Sequence, residues 1–298
     1  MEQAERLSEP VPPFPPGGFD GEKPEERTAF VDTVWNYYRR AGRNMAWRDD
    51  TSPYAVYISE VMLQQTQVSR VEMKFPLFIR RFPDFSSLAA AQLSEVLALW
   101  SGLGYNRRAR YVHQAARIIE TEYGGILPDT PGALVALPGI GPNTAGSIAA
   151  FAYNQPVVFI ETNIRRVYIS AFYPAAEAVH DRMILPLVEQ TLQRKNPREW
   201  YWALMDLGAA LSRKSENANR RSVHYARQST FENSDRQLRG RIMRMLTEYG
   251  AMCAEEDLPA YTGFPEDRVR RVITALEREK LVTRRHEDGT ARVAINNG

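Results

Sequence analysis

The stretch LPGIGPNTAG, residues 137–146, sets a glycine on each side of Ile140 and turns into a helical pattern from Thr144. Glycine tolerates backbone conformations that other residues resist, so the chain can reverse here within a few residues. A tight turn that opens a helix points backbone amides outward, and such amides suit a phosphate. On both sides the sequence reads as helices with short breaks. Segments 54–66, 68–82 with Pro76 as a kink or break, 94–100 capped by Ser94, and 107–123 before Gly124 and Gly125 precede the turn. Segments 162–172, 183–194 and 198–212 follow it. Upstream, Phe30, Val31, Val34, Tyr37 and Tyr38 share one side of a helix that starts at Thr28 and stops at Gly42.

The chain has 298 residues, 44% of them hydrophobic, enough for two domains and a small third. A net charge of +2 permits an anionic partner without requiring one. The one cysteine, Cys253, excludes an intrachain disulfide and any site built from several thiolates. There is no basic N-terminal segment followed by an apolar run, and no uncharged apolar stretch of roughly 18 residues, so a cytoplasmic protein outside the membrane is expected. Residues 1–27, rich in proline, glycine and acids, read as a disordered tail. Residues 235–298 hold three helical patterns and a hairpin around Asp288 and Gly289. They suggest a winged-helix-like module or a helical appendage packed on the main domain.

In SEVMLQQTQ, residues 59–67, an acid stands inside an apolar helical pattern and adjacent amides follow it. Alone, Glu60 reads as a surface residue and the glutamines as a polar helix end. Longer strings change this. SPYAVYISEVMLQQTQV, LWSGLGYNRRAR, LPGIGPNTAGSIAA, ETNIRRV and WALMDLGA occur in an order and spacing that resemble the helix-hairpin-helix DNA glycosylase superfamily, in its MutY-like adenine glycosylase branch. The resemblance runs over about residues 34–210.

That resemblance implies an all-α fold of two lobes, 52–156 and 28–51 with 157–231, with double-stranded DNA carrying a damaged or mismatched base across the cleft between them. The hairpin would grip phosphates through Gly139, Gly141 and Thr144, and the carbonyls of Leu137, Gly139 and Ile140 would hold Na+ or K+. Gln64 and Gln65 would fill the gap left by a flipped base, with Tyr105 beside them, and Trp47 and Asn143 would help form the base pocket. Glu60 corresponds to the acid that protonates the leaving base, a role that needs a carboxyl protonated near neutral pH. Glu161 corresponds to the second carboxylate. Here the chain departs from the family, which has Asp then Gly where this sequence has Glu161 and Thr162; an acid beside a helix start is also favoured by the helix dipole alone.

Asn143 replaces the lysine that bifunctional relatives resembling endonuclease III use for a Schiff base, which implies hydrolysis without strand cleavage. Most members carry four cysteines after the MDLGA-type helix for an iron-sulfur cluster. Ser212, Asn219, Ser222 and Gln228 stand there instead, so a four-Cys cluster is excluded. Arg107, Arg108, Arg165, Arg166, Arg213, Arg220 and Arg221 are candidate phosphate contacts, or solvated surface. The C-terminal part is too short for the domain with which MutY proteins recognise 8-oxoguanine, and Arg268, Arg270 and Arg271 of a winged helix could touch the duplex instead. The expected protein is a monomeric, monofunctional DNA glycosylase of base excision repair that removes adenine opposite G or 8-oxoguanine. The alternatives are a uracil or thymine mismatch glycosylase and a non-catalytic reader of damaged DNA.

Overall fold

Helix ends fall mostly where the residue types require them. The computed structural model describes residues 10–214, 217–226, 230–248 and 252–297. In chain order come α1 (Pro24–Ala41), α2 (Ala46–Asp49), α3 (Pro53–Leu63), α4 (Val68–Arg81), α5 (Phe85–Ala90), α6 (Leu93–Trp100) and α7 (Arg107–Tyr123). Then follow α8 (Pro131–Val135), α9 (Pro142–Tyr153), α10 (Thr162–Phe172), α11 (Asp181–Thr191), α12 (Pro197–Lys214) and α13 (Asp235–Glu248). The chain closes with β1 (Cys253–Ala254), α14 (Leu258–Thr262), α15 (Glu266–Arg278), β2 (Val282–Glu287) and β3 (Thr290–Ile295). Gly124 ends α7 in the left-handed conformation. Pro76 lies within a continuous α4. The start of α6 differs from the expected Ser94 cap: the N-cap is Gln92, two residues earlier, and its N–H donates to Glu95 Oε2 at 3.1 Å.

Two compact units emerge. The first comprises Met1–Val56, Asp129–Gly132 and Gly141–Arg227. Its core is aromatic, with Phe30 packed on Phe172 at 4.9 Å and on Tyr168 at 5.2 Å between ring centroids. Helix α9 belongs to this unit, where Phe151 stacks on Trp202 of α12 at 6.1 Å. A Cβ at Gly208 would collide with the backbone of Asn163, so glycine lets α12 meet the start of α10. Two residues earlier on α12, buried Asp206 receives Arg43 Nε at 2.6 Å and Arg48 Nη2 at 2.8 Å, which fastens the chain after α1 to α12.

The expected disordered tail is corrected from Pro10 onward. Phe14 packs on Phe19, and Phe19 packs in turn on Phe30 and Phe172 at 5.9 Å each. The Phe19 N–H donates to Ala171 O at 2.7 Å. Two aromatic side chains in a segment otherwise poor in apolar residues find a seat on α1 and α10, and burying rings of this size offsets the ordering cost. Residues 1–9 lie outside the described residues.

The second unit comprises Tyr57–Pro128, Ala133–Ile140 and Gln228–Gly298. Phe78, Phe82 and Trp100 form the aromatic centre of its helices. Its C-terminal part has three helices and a β-hairpin, with an antiparallel sheet in the order β1-β3-β2. Asp288 and Gly289, both at positive φ, make the two-residue turn between β2 and β3. This part also packs on the helical body: α13 lies on α6, and Ser94 N–H donates to Asn297 Oδ1 at 2.8 Å. Against the sequence expectation, residues 141–156 group with the first unit, and residues 235–297 with the second. Among the described residues no helix is long and apolar enough to cross a membrane.

Burial alone would raise the Asp206 pKa, but Arg48 and Arg43 outweigh it and hold the carboxyl below the ordinary range. Its contribution to stability is therefore present above about pH 3.8 and is lost as pH falls through the depressed folded value. Asp206→Asn is expected to cost about 3–5 kcal/mol, because two buried guanidinium groups lose their counter-charge. Urea unfolding between pH 3 and pH 7 checks both statements; a variant within about 1 kcal/mol of wild type at pH 7 would contradict them.

Candidate functional site

In the second unit two turns come together around one arginine. Helix α3 carries Glu60, half-buried between buried Ser59 and Val61, and ends at Leu63. The chain turns sharply after it: Gln64 Nε2 donates to Gly139 O at 3.3 Å, and Gln65 is exposed with φ 54°. The second turn, Leu103–Gly104–Tyr105, places Tyr105 at φ 50° with its side chain 38% exposed. Arg108 joins the two. Its Nη1 donates to Val61 O at 2.7 Å and Met62 O at 2.9 Å, its Nη2 to Thr66 Oγ1 at 2.9 Å and Gly104 O at 3.0 Å, and its guanidinium lies over the rings of Trp100 and Tyr105.

Sequence reasoning placed Arg108 on a phosphate, and the structure corrects this. The residue is 8% exposed, its Nη1 and Nη2 donors are taken up by backbone carbonyls and one hydroxyl, and its buried Nε–H has no partner among the described residues. Burial lowers its pKa to about 10, so it stays charged at neutral pH. The carbonyls of Val61 and Met62 at the C-terminal end of α3 supply the compensating negative potential.

A third turn is the hairpin. Leu137 and Ile140 are buried and anchor it, while Gly139 and Gly141 face outward. Gly139 has φ 80°, and a Cβ there would meet Tyr111 Cδ2 at 2.8 Å, so both conformation and space demand glycine. In the first unit α9 begins directly after Gly141, with Asn143 exposed and Thr144 half-buried in its opening turn.

Also in the first unit, Glu161 is the N-cap of α10. Its Oε1 accepts the N–H of Asn163 at 2.8 Å and of Ile164 at 3.1 Å. Among the described residues no donor reaches Oε2. Burial pushes this carboxyl above the ordinary range, while the two N–H groups and then Arg166 and Arg165 pull it back. Asn163, which sequence reasoning passed over, bonds Arg166 Nη1 through Oδ1 at 2.7 Å and fixes the backbone beside the acid. Its position two residues after Glu161 in the ETNIRRV string was the available signal. Trp47 is buried in this unit, whereas Glu60 and the glutamines belong to the other.

The family described as HhH-GPD superfamily base excision DNA repair protein matches residues 58–183, which span Glu60, the hairpin and Glu161. The adenine DNA glycosylase of Mycobacterium tuberculosis is 32% identical over 273 residues, covering 83% of this chain and 88% of that protein. The chain belongs to this superfamily. The adenine DNA glycosylase of Buchnera aphidicola is 37% identical over 191 residues, and the chain spans about half of that relative's length, 54%. A solved thermostable thymine-DNA glycosylase shares the fold, with a TM-score of 0.55 at 24% identity over 62% of this chain and 87% of that one.

Within this superfamily member the proposed phosphate contacts divide by exposure. Arg107, Arg213 and Arg220 are exposed. Arg166 is buried and donates to Asn163 and to Gly208 O, so it is corrected to an internal brace. Arg165 makes a two-pronged pair with Asp181 at 2.7 Å, and Arg221 donates to Tyr173 O at 2.6 Å. In the C-terminal part Arg268 pairs with Asp235, Arg270 with Glu266 and Arg271 with Asp267.

The positions of the missing thiolates do not fit an iron-sulfur cluster. Ser212 Oγ donates to Ala209 O, Asn219 Nδ2 donates to Thr162 O at 3.0 Å, and Ser222 Oγ accepts the His224 N–H. Gln228 lies outside the described residues, and Cys253 stands on β1. A short 3-10 segment, Ala218–Arg221, takes the loop's place, with the Asn217 side chain accepting the Asn219 N–H. Among the described residues no group of three or more His, Cys, Asp and Glu could hold a metal ion.

Two substitutions test this geometry. Arg108→Met, which leaves four carbonyls and Thr66 without their donor, is expected to cost about 3 kcal/mol in urea unfolding, and Arg108→Lys should recover less than half of it. Glu161→Gln keeps an acceptor for both N–H groups and removes a buried charge, so stability should hold within about 1 kcal/mol of wild type or rise. A loss above about 3 kcal/mol in Glu161→Gln would mean that the charge is structural.

Proposed function

We propose that this chain is a monofunctional DNA glycosylase that hydrolyses the N-glycosidic bond of a flipped adenine opposite G or 8-oxoguanine. The observation that carries the reading is Glu60, a half-buried acid in the last turn of α3, immediately ahead of the locked Gln64–Gln65 turn. The long match to an adenine DNA glycosylase supports adenine as the base.

In this reading the carboxyl of Glu60 gives its proton to N7 of adenine. The bond from C1′ to N9 breaks with its electron pair leaving on the base, and positive charge develops on the sugar. The Oε2 side of Glu161 stabilises that charge while Oε1 stays fixed on the N-terminus of α10. Water then attacks C1′ and its proton passes to Glu60, which restores the acid. Asn143 offers no amine for a Schiff base, so the product is an intact strand with an abasic site. Gln64 and Gln65 fill the vacated space, and Gly139, Gly141, Thr144, Arg107, Arg213 and Arg220 contact phosphates.

The enzyme works without a four-Cys cluster, as a monomer in the cytoplasm. Na+ or K+ at the hairpin would use Leu137 O, Gly139 O and Ile140 O. The first already accepts the Ile140 N–H and the second Gln64 Nε2, and each carbonyl keeps a second lone pair.

The test is a single-turnover assay on duplexes carrying A opposite 8-oxoguanine, A opposite G, T opposite G and U opposite G, followed by alkali. Breaks at adenine are expected, with Glu60→Gln slower by about 10²–10⁴-fold and Glu161→Gln by about 10²–10³-fold. Breaks only at thymine or uracil, or full turnover by Glu60→Gln, would overturn the assignment.

A further inference from the structure

The C-terminal part reaches the wedge turns through one side chain. Arg236, in the first turn of α13, donates from Nη1 to the Tyr105 hydroxyl at 3.3 Å. Its guanidinium lies over the ring of Phe231, 5.9 Å from the centroid. Phe231 is 58% exposed and Tyr105 38% exposed, so the group stands between two aromatic rings that face solvent. The contact has a firm base, because α13 lies on α6 and Asn297 is bonded to Ser94. Tyr105 in turn belongs to the turn that Arg108 and the Thr66 hydroxyl, 3.3 Å from Leu103 O, fasten to the Gln64–Gln65 turn. Arg268, Arg270 and Arg271 of α15 pair with carboxylates. Arg236 lies outside the superfamily match at 58–183.

We infer that Arg236 reads the base left unpaired opposite the flipped nucleotide, and that it selects guanine. This rests on the proposed glycosylase reading, which puts Gln64 and Gln65 in the gap. When a base leaves the stack, its former partner is left unpaired, and protein groups beside the wedge can hold it by its edges. A guanidinium presents a planar fork of N–H donors that matches the O6 and N7 acceptors of guanine, and cytosine offers a donor instead at its major-groove edge. The phenol oxygen of Tyr105 and the ring of Phe231 restrict where that fork can point. The C-terminal part is thus a specificity element of the same site, through α13 rather than α15.

The test uses the full chain and duplexes with a tetrahydrofuran abasic site opposite G, 8-oxoguanine or C, with affinity read by fluorescence anisotropy, beside single-turnover adenine release. Wild type is expected to bind the G-opposed duplex more tightly than the C-opposed one. Arg236→Ala should lose about 10-fold or more of that preference, within the range for a two-pronged base contact, while its C-opposed affinity stays within about twofold. Arg236→Lys keeps the charge without the fork and should lose the preference too. 8-oxoguanine keeps O6 but bears a proton on N7, so its affinity should fall between the other two. Equal weakening on all three duplexes, or a preference retained in Arg236→Lys, would overturn the inference. Should Arg236→Ala unfold, the Lys variant decides alone. Wild type that discriminates the duplexes but releases no adenine would sink the glycosylase proposal and leave the reading of guanine standing; adenine release without discrimination would do the reverse.

Discussion

A buried guanidinium whose counter-charge is the carbonyl end of a helix holds the second unit's working face in shape. Arg108 is 8% exposed, and its Nη1 and Nη2 donors go to the last turn of α3, to Thr66 and to the Leu103–Gly104 backbone. Gln65 and Tyr105 both sit at positive φ without being glycine, a cost that persists only where surroundings over-determine the backbone. The strings SEVMLQQTQ and LWSGLGYNRRAR are two halves of one device, since the arginine in the second fixes the turn that ends the first. A lysine at 108 could not replace this, because one ammonium cannot span acceptors on two separate turns.

The first unit repeats the logic with the signs reversed. Asp206 is the buried anion, Arg43 and Arg48 surround it, and Gly208 two residues later lets Asn163 approach. That approach sets the start of α10, where Glu161 both caps the helix and waits with its other oxygen. The Glu161 side chain folds back so that Oε1 accepts two N–H groups of that helix start. Burial favours its neutral form, while the helix end and two arginines favour the anion.

Helix limits set by local chemistry were legible in the sequence. The ends of α7 and α10 coincide with the reading because Gly124 stops the one and Glu161 caps the other. The hairpin between β2 and β3 was announced by Asp288-Gly289. Side-chain direction was not legible. Arg107 and Arg108 are adjacent and identical in type, yet one faces solvent and the other is buried, because α7 turns them to different sides. The grouping of α9 with α12 depends on Phe151 meeting Trp202, a pairing no local pattern encodes. Arg236 and Tyr105 are farther apart still in sequence, and only the docking of α13 joins them.

Phe19 bonds and packs against residues 171 and 172, and this imposes an order on biogenesis. The segment around Phe19 leaves the ribosome well before its seat on α10 is made. At roughly 5–20 residues per second, the rings wait on the order of ten seconds before the seat exists. During translation Phe14 and Phe19 are therefore open to chaperones, and they take their seat only once α10 has emerged.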